Sequence, residues 1–144
     1  MKFYIYLLLI TVVLLAGCSS NESVSGLDVR DDILQDVTKV YSNLDAAMTD
    51  TVNASSYDTF GALSTERFEE EIGFIMERDY YSGYVLNKED YSKDEYDLID
   101  TTSDVTMLYL QYCKALITGD QQQLSQTMQR FDQKMKDLNL IINR

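Results

Sequence analysis

The sequence predicts an all-α protein, a small antiparallel bundle of about four helices that occupies residues 28–144. Three observations favour this fold class. Apolar residues recur at steps of three and four along most of this range. Proline, which interrupts helices, does not occur among the 144 residues. No stretch of useful length shows the two-residue alternation of a β-strand.

The first helix is predicted over residues 28–50. Its apolar residues share one helical face, and they are Val29, Ile33, Val37, Val40 or Tyr41, Leu44 and Met48. Asp28, Asp31 and Asp32 crowd the first turn, where the helix dipole stabilises negative charge. Residues 51–64 leave two alternatives open, a short separate helix or the first part of the second helix.

The second helix is predicted over residues 65–82, with an inner face marked by Phe68, Ile72, Ile75 or Met76, and Asp79 or Tyr80. Gly83 followed by an apolar residue is typical of a glycine that ends a helix. We therefore expect a loop at residues 84–91.

The third helix is predicted to begin at Ser92. Ser92 and Glu95 have the spacing of a capping box, in which each side chain bonds the backbone amide of the other residue. Two adjacent apolar seams follow, so we expect this helix to be central in the bundle. One seam is Ile99, Ser103, Thr106, Leu110, Cys113 and Ile117, and the other is Leu98, Val105, Leu108, Tyr112 and Leu116.

Gly119 and Asp120 predict a tight turn into the fourth helix, and Asp120 and Gln123 have the spacing of a second capping box. The apolar seam of this helix alternates steps of four and three, and it consists of Leu124, Met128, Phe131, Met135, Leu138 and Ile142. Residues 120–144 contain more cations than acids. We expect these cations to lie beside acidic side chains of neighbouring helices.

An apolar run from Phe3 to Leu15 precedes the predicted bundle. Lys2 is the only charged residue among the first 18, and polar Ser19 and Ser20 follow the run closely. The run has the length of the apolar region of a secretory signal. It is too short for a membrane-spanning helix, which needs about 20 residues. It ends in Leu15-Ala16-Gly17-Cys18.

This segment resembles the signal peptide and lipobox of bacterial lipoproteins, and all four lipobox positions match. The resemblance covers residues 1–18. It implies that residues 1–17 are removed and that Cys18 becomes the N-terminus and carries fatty acids such as palmitate. The chain would then be lipid-anchored at the cell membrane, facing outside the cytoplasm, since two acyl chains suffice for stable anchoring. An ordinary signal peptide and an uncut N-terminal anchor are the alternatives.

Residues 18–27 are expected to form the lipidated cysteine and a flexible tether, because they are polar and short of bulky side chains. Fully extended, residues 19–26 span roughly 26–29 Å. The tether would therefore carry the bundle clear of the lipid headgroups.

Composition argues against several classes of function. The net charge is −12, so no basic face is available for nucleic acid. Histidine, the commonest general base and transition-metal ligand, does not occur. Six acidic residues cluster around one loop without the spacing of an EF-hand: Glu89, Asp90, Asp94, Glu95, Asp97 and Asp100. We expect no cofactor and no dedicated metal site.

Cys113 has no partner within the chain if Cys18 carries lipid. A reactive thiol and an intermolecular disulfide are two interpretations. We favour a third, a buried small apolar side chain, because only Lys114 lies close enough in sequence to activate the thiol.

Tyrosine is concentrated in one stretch, where five occur within 17 residues: Tyr80, Tyr81, Tyr84, Tyr91 and Tyr96. A tyrosine offers a large rigid contact and a hydroxyl, so these residues are the candidate binding patch. The favoured alternative is that their rings close one end of the bundle.

No motif of any known catalytic type is present in the sequence. We expect a non-enzymatic, lipid-anchored binding or accessory protein, attached to the membrane through the lipid on Cys18 and contacting a protein partner at the cell surface. Two alternatives stay open. One is a carboxylate-dependent cell-surface enzyme, and the other is a structural spacer or homo-oligomer.

Overall fold

The structure, a computed structural model, describes residues 26–53 and 65–144, and within them it is an all-α helical bundle, as predicted. Its five α-helices are α1 (Asp31–Asn53), α2 (Thr65–Glu71), α3 (Asp79–Leu86), α4 (Lys93–Thr118) and α5 (Gln121–Ile142). Short 3-10 segments at Gly73–Glu77 and Lys88–Asp90 flank α3. The predicted signal peptide, Cys18 and the ambiguous residues 54–64 lie outside the described residues.

The three longest described helices, α1, α4 and α5, form the body of the bundle. α5 runs antiparallel to α4, while α1 runs parallel to it. Arg30, just before α1, bonds Glu95 in the first turn of α4, and Thr51 near the end of α1 lies 3.3 Å from the hydroxyl of Tyr109 in α4. The bundle thus has a tether end, made by residues 26–32, 92–95 and 144, and a turn end, at Asn53 and Gly119.

The core lies between these three helices and is closed on one side by α2, α3 and the segment between them. Its most deeply buried side chains come from α1, α4, α5 and the segment between α2 and α3, and they include Ile33, Val37, Leu44, Ile72, Ile75, Leu98, Ile99, Tyr109 and Leu138. The predicted inner face of the first helix is confirmed from Ile33 to Met48, because its apolar residues are buried there. The predicted central position of the third helix is also confirmed, since α4 contacts both α1 and α5.

The helix ends predicted from local spacing are largely confirmed. The Ser92 hydroxyl accepts a bond from the Glu95 amide at 3.1 Å, and the Glu95 carboxylate accepts one from the Ser92 amide at 3.0 Å. Gly119 ends α4 with φ of 71°, a conformation that residues with a Cβ seldom adopt. Asp120 caps α5 by accepting a bond from the Gln123 amide at 2.9 Å.

The first helix begins later than predicted, at Asp31, and Asp28 is not part of its first turn. Residues 27–30 instead contact the start of α4 through hydrogen bonds, so they form a docked segment rather than a helical turn. Leu27 is 4% exposed, which places it in the folded domain and not in the predicted tether of residues 18–27.

The prediction of one continuous helix over residues 65–82 was wrong. The chain is α-helical to Glu71, forms a 3-10 segment, and becomes α-helical again at Asp79. In a continuous helix, at about 100° per residue, Asp79 would lie on the same face as Phe68 and Tyr80 would lie about 120° from it. The interruption turns Asp79 towards solvent and lets Tyr80 and Tyr84 enter the core.

Gly83 does not end a helix, and the predicted loop at residues 84–91 is largely helical. Gly83 lies inside α3, where the hydroxyl of Tyr91 approaches its backbone. A Cβ at this position would clash with that hydroxyl oxygen and would lie 3.4 Å from the Tyr91 Cζ. Glycine is therefore needed here for close packing and not for a left-handed turn.

Parts of the predicted apolar seams face solvent. On α4, Leu110 is 37% exposed and Ile117 is 51% exposed, while Thr106 is buried as predicted and Thr102, which belongs to neither predicted seam, is buried as well. Both threonines bond a carbonyl one turn earlier, at 2.7 and 2.9 Å, so their hydroxyls are satisfied without interrupting the helix. On α5, Phe131, Met135 and Leu138 are buried as predicted, while Leu124, Met128 and Ile142 are half-buried.

Two cations of the last helix lie beside acids of α4, as expected. Lys134 Nζ is 2.7 Å from Asp104 Oδ2, and Arg144 Nη1 is 3.5 Å from Asp94 Oδ1. Both pairs are largely exposed, so each stabilises the fold by well under about 1 kcal/mol.

We predict that Gly83→Ala destabilises the protein although alanine is the better helix former. The reason is the clash with the Tyr91 hydroxyl, which donates a 3.0 Å hydrogen bond to the carbonyl of Tyr80 and is thereby held in place. In a Tyr91→Phe background, the same substitution should be neutral or should stabilise by up to about 1 kcal/mol. Urea unfolding of the four proteins measures both effects. Equal effects of Gly83→Ala in the two backgrounds would contradict the packing described for Gly83.

Candidate functional site

The predicted lipid carrier, Cys18, lies outside the described residues, so its surroundings begin at Gly26. From there the chain runs directly onto the tether end of the bundle. Leu27 is buried, and a Cβ on Gly26 would lie 3.9 Å from the carbonyl oxygen of Arg144. The first described residues are therefore packed against both the start of α4 and the C-terminus of the chain.

Glu95 is the residue that holds this segment. Its side chain is 7% exposed. One carboxylate oxygen accepts bonds from Arg30 Nε at 2.8 Å and from the Arg30 amide at 3.1 Å, while the other accepts the bond from the Ser92 amide. A buried carboxylate is stable only when its charge is paired and its oxygens are bonded, and both conditions are met here.

Neighbouring groups strengthen the same attachment. The Ser92 hydroxyl donates to the carbonyl of Asp28, and the Asp28 amide donates to Asp94 Oδ2 at 3.4 Å. The guanidinium of Arg30 also lies 5.2 Å from the ring centre of Tyr91. Burial acts to lower the pKa of Arg30, but the hydrogen bond and charge of Glu95 outweigh this effect and raise it. Arg30 therefore remains a cation under all ordinary conditions.

The structure brings the five tyrosines of the candidate binding patch together around α3 and the start of α4. Tyr80 and Tyr84 are buried at 6% and 8% exposure, while Tyr81, Tyr91 and Tyr96 are half-buried and pack against the core. Tyr84 lies between two of the others, with ring centres 5.5 Å from Tyr81 and 5.7 Å from Tyr96. Only the three half-buried rings have appreciable surface to offer a partner.

Most hydroxyls of the tyrosine cluster are bonded within the protein. Tyr80 donates to Asp36 Oδ2 at 3.1 Å, and the Tyr81 hydroxyl is 2.7 Å from the Ser103 hydroxyl. The ammonium group of Lys88 lies 3.8 Å from the ring centre of Tyr96. These bonds fix the rings on the bundle, so any surface they present is rigid.

A groove of about 450 Å³ lies between α1 and the start of α3. Carboxylates of Asp32, Asp36 and Asp79 line it together with two arginines. Asp36, the most enclosed of the three acids, accepts bonds from Arg78 Nε and Nη2 at 2.8 and 3.2 Å besides the bond from Tyr80. Its oxygens are thus already occupied, so it is a poor candidate for a general base.

Three of the six acids clustered around residues 89–100 form ion pairs within the fold. Asp94, Glu95 and Asp97 pair with Arg144, Arg30 and Lys93, respectively. Across residues 26–53 and 65–144, no group of three or more His, Cys, Asp or Glu side chains is arranged to hold a metal ion.

Cys113 is half-buried on α4 and packs against the core. Burial raises the pKa of its thiol, while a hydrogen bond with Tyr109 acts in the opposite direction. A raised pKa lowers the fraction of thiolate at neutral pH, so the surroundings of Cys113 do not activate it as a nucleophile.

None of the helices in the described part of the chain is long and apolar enough to cross a bilayer.

Sequence analysis missed the two arginines that organise the site. Arg30 and Arg78 each pair with an acid 42 or more positions away in sequence, so no local spacing indicates the partner. Phe74 was also missed, although the cations of Lys39, which is distant in sequence, and of Arg78 lie 4.4 and 5.5 Å from its ring centre. One sign in the sequence could have pointed to Arg30 and Arg78, because each is a single cation among acidic neighbours.

Comparisons of the chain with family models, with curated proteins and with solved structures found no match.

We predict that Glu95→Gln destabilises the fold by about 1–3 kcal/mol, because it removes the charge that pairs with Arg30 and weakens the cap of α4. The matched control is Glu89→Gln, since Glu89 is an exposed carboxylate near the same end, and it should change stability by less than about 0.5 kcal/mol. Urea unfolding compares the two. Equal stability of both variants would contradict the role of Glu95.

We also predict that Tyr80 makes stability fall with rising pH above about pH 10. Burial, then the charge and hydrogen bond of Asp36, raise the pKa of Tyr80 above its ordinary value. The unfolded chain therefore releases this proton at a lower pH than the folded protein. The contribution of Tyr80 to the free energy of unfolding is thus fully present below about pH 10 and is lost as the pH rises above it. The loss is at most about 1.4 kcal/mol per pH unit for one tyrosine. Unfolding between pH 9 and 11.5 should show a shallower decline for Tyr80→Phe, and parallel declines would contradict the prediction.

Proposed function

We propose that this chain is a bacterial lipoprotein whose helical domain is anchored by lipid on Cys18 outside the cytoplasm and binds a protein partner there without catalysing a reaction. The observation that carries the proposal is the apolar run that ends in Leu15-Ala16-Gly17-Cys18. A diacylated cysteine provides two acyl chains, which together anchor a protein stably.

The docked segment at the tether end supports this proposal. A lipid on Cys18 would be joined to Gly26 by a short polar stretch. The residues after Gly26 are held to the start of α4 through Arg30 and Glu95. The place where the tether joins the bundle is therefore fixed. The tether end would then face the membrane, and the turn end would lie about 39 Å farther out, given the 26 residues of α4.

The acidic composition is compatible with such a position. Anionic lipid headgroups repel a domain with this net charge, so attachment depends on the lipid and the domain stands off the surface. The side chains of the domain would then remain accessible to a partner.

The use of carboxylates in the described residues favours binding over catalysis. Glu95 and Asp36 are the acids most enclosed by the fold among those in ion pairs, and each is bonded to an arginine. A general acid or base needs an oxygen that is free to reach the substrate. The more exposed carboxylates in ion pairs, those of Asp94, Asp97 and Asp104, are likewise each bonded to a cation.

We predict that Cys18→Ser abolishes both lipid labelling and processing of the precursor. The full-length chain is expressed in a bacterial host with tritiated palmitate, and the wild type should be labelled, shortened and recovered with membranes. The matched control is Cys113→Ser, which removes the other cysteine and should leave all three properties unchanged. Label that persists in Cys18→Ser, or that disappears in Cys113→Ser, would overturn the proposed attachment.

A further inference from the structure

A second groove lies between the last turns of α1 and the facing part of α5, in the half of the bundle near the turn end. Its volume is about 280 Å³. Pockets for drug-sized ligands occupy about 300–1,000 Å³, so this groove has room for side chains of a polypeptide rather than for a whole ligand. Along α1 its lining residues are spaced three and four apart, on one helical face.

The floor of the groove is apolar. Met48 and Phe131 are buried beneath it at 5% and 3% exposure, Met128 is half-buried, and Val52 is 48% exposed at its rim. Methionine is flexible and polarisable, and it adapts to differently shaped apolar partners. Such a floor is suited to receive an apolar side chain of a second polypeptide.

The two sides of the groove are acidic. Asp45 lies on the α1 side and Asp132 on the α5 side, and both are exposed. Among the described residues, neither of them takes part in an ion pair. The groove therefore has uncompensated negative charge on each side of an apolar floor.

We propose that this groove binds an amphipathic helical segment of a protein partner, in which lysine or arginine side chains flank the apolar ones. The inference rests on the proposed function, and it names the chemistry of the partner. The apolar side chains would cover Val52 and Met128, and the cations would pair with Asp45 and Asp132. An amphipathic helix in an apolar groove is a recurrent mode of peptide recognition.

Charge complementarity selects this occupant over a second copy of the chain. Two copies that met at this groove would bring Asp45 and Asp132 of one protomer towards those of the other, in molecules of net charge −12. Like charges placed opposite each other disfavour association. A cationic segment removes this repulsion and is attracted to the protein before contact.

The test uses the full chain, purified in detergent, and a synthetic amphipathic helical peptide made of leucine and lysine. Two further peptides replace either all lysines by glutamate or all leucines by serine. Binding is measured by fluorescence anisotropy at two salt concentrations. The leucine–lysine peptide should bind, more weakly at high salt, and neither control peptide should bind measurably.

Variants then locate the binding site. Asp45→Asn with Asp132→Asn should weaken binding about threefold to tenfold, and Val52→Ser should also weaken it. The matched control is Glu69→Gln with Glu70→Gln, which removes the same charge from exposed positions on α2 and should leave affinity within about twofold. Thermal unfolding verifies that each variant is folded.

Three results would overturn the proposal. They are a lack of binding by the leucine–lysine peptide, equal weakening by the two charge variants, and a dimer that Val52→Ser dissociates. Because the assay needs no lipid, its failure would leave the lipidation of Cys18 intact, and a failure of lipidation would leave the result of the binding assay intact.

Discussion

The fold depends most on one buried carboxylate, that of Glu95. Moving an ionised carboxylate out of water costs several kcal/mol unless its charge is paired and its oxygens are bonded. Here the same side chain caps α4 at Ser92 and binds both the amide and the guanidinium of Arg30. Because Arg30 directly precedes α1 and Ser92 directly precedes α4, this one side chain joins the starts of the two parallel helices and sets their register. It also determines where the chain that precedes α1 leaves the bundle.

Features governed by neighbouring residues could be predicted from the sequence. The capping box at Ser92 and Glu95 and the left-handed Gly119 depend on residues a few positions apart, and both are present. The interruption between α2 and α3 could not be predicted from apolar spacing alone. It reconciles two helical faces, one through Ile75 and one through Tyr80, which would lie about 140° apart on a single straight helix although both residues are buried in the same core. Asp79 on the predicted inner face was the sign of this conflict.

The candidate sites also combine features that neighbouring residues determine with features that depend on the tertiary arrangement. The tyrosines could be found by counting, but their burial depends on α3 lying against α4, with Tyr91 packed over Gly83. The pairs Arg30–Glu95 and Arg78–Asp36 join residues far apart in sequence, so they emerge only from the tertiary arrangement. The groove beside Val52 likewise combines residues of α1 and α5 that share no sequence signal. Its apolar floor and acidic sides become visible only when the two helices are placed side by side.

If lipid on Cys18 holds the tether end of the bundle towards the membrane, the two ends of the bundle lie at different distances from the bilayer. Energy transfer from fluorophores to acceptor lipids tests it directly, with lipidated protein on uncharged vesicles and labels at Lys93→Cys or Gln122→Cys in a Cys113→Ala background. Both label sites are exposed, at opposite ends of the bundle. We expect clearly stronger transfer from position 93 than from position 122. Equal transfer, stronger transfer from position 122, or no transfer from either position would contradict it.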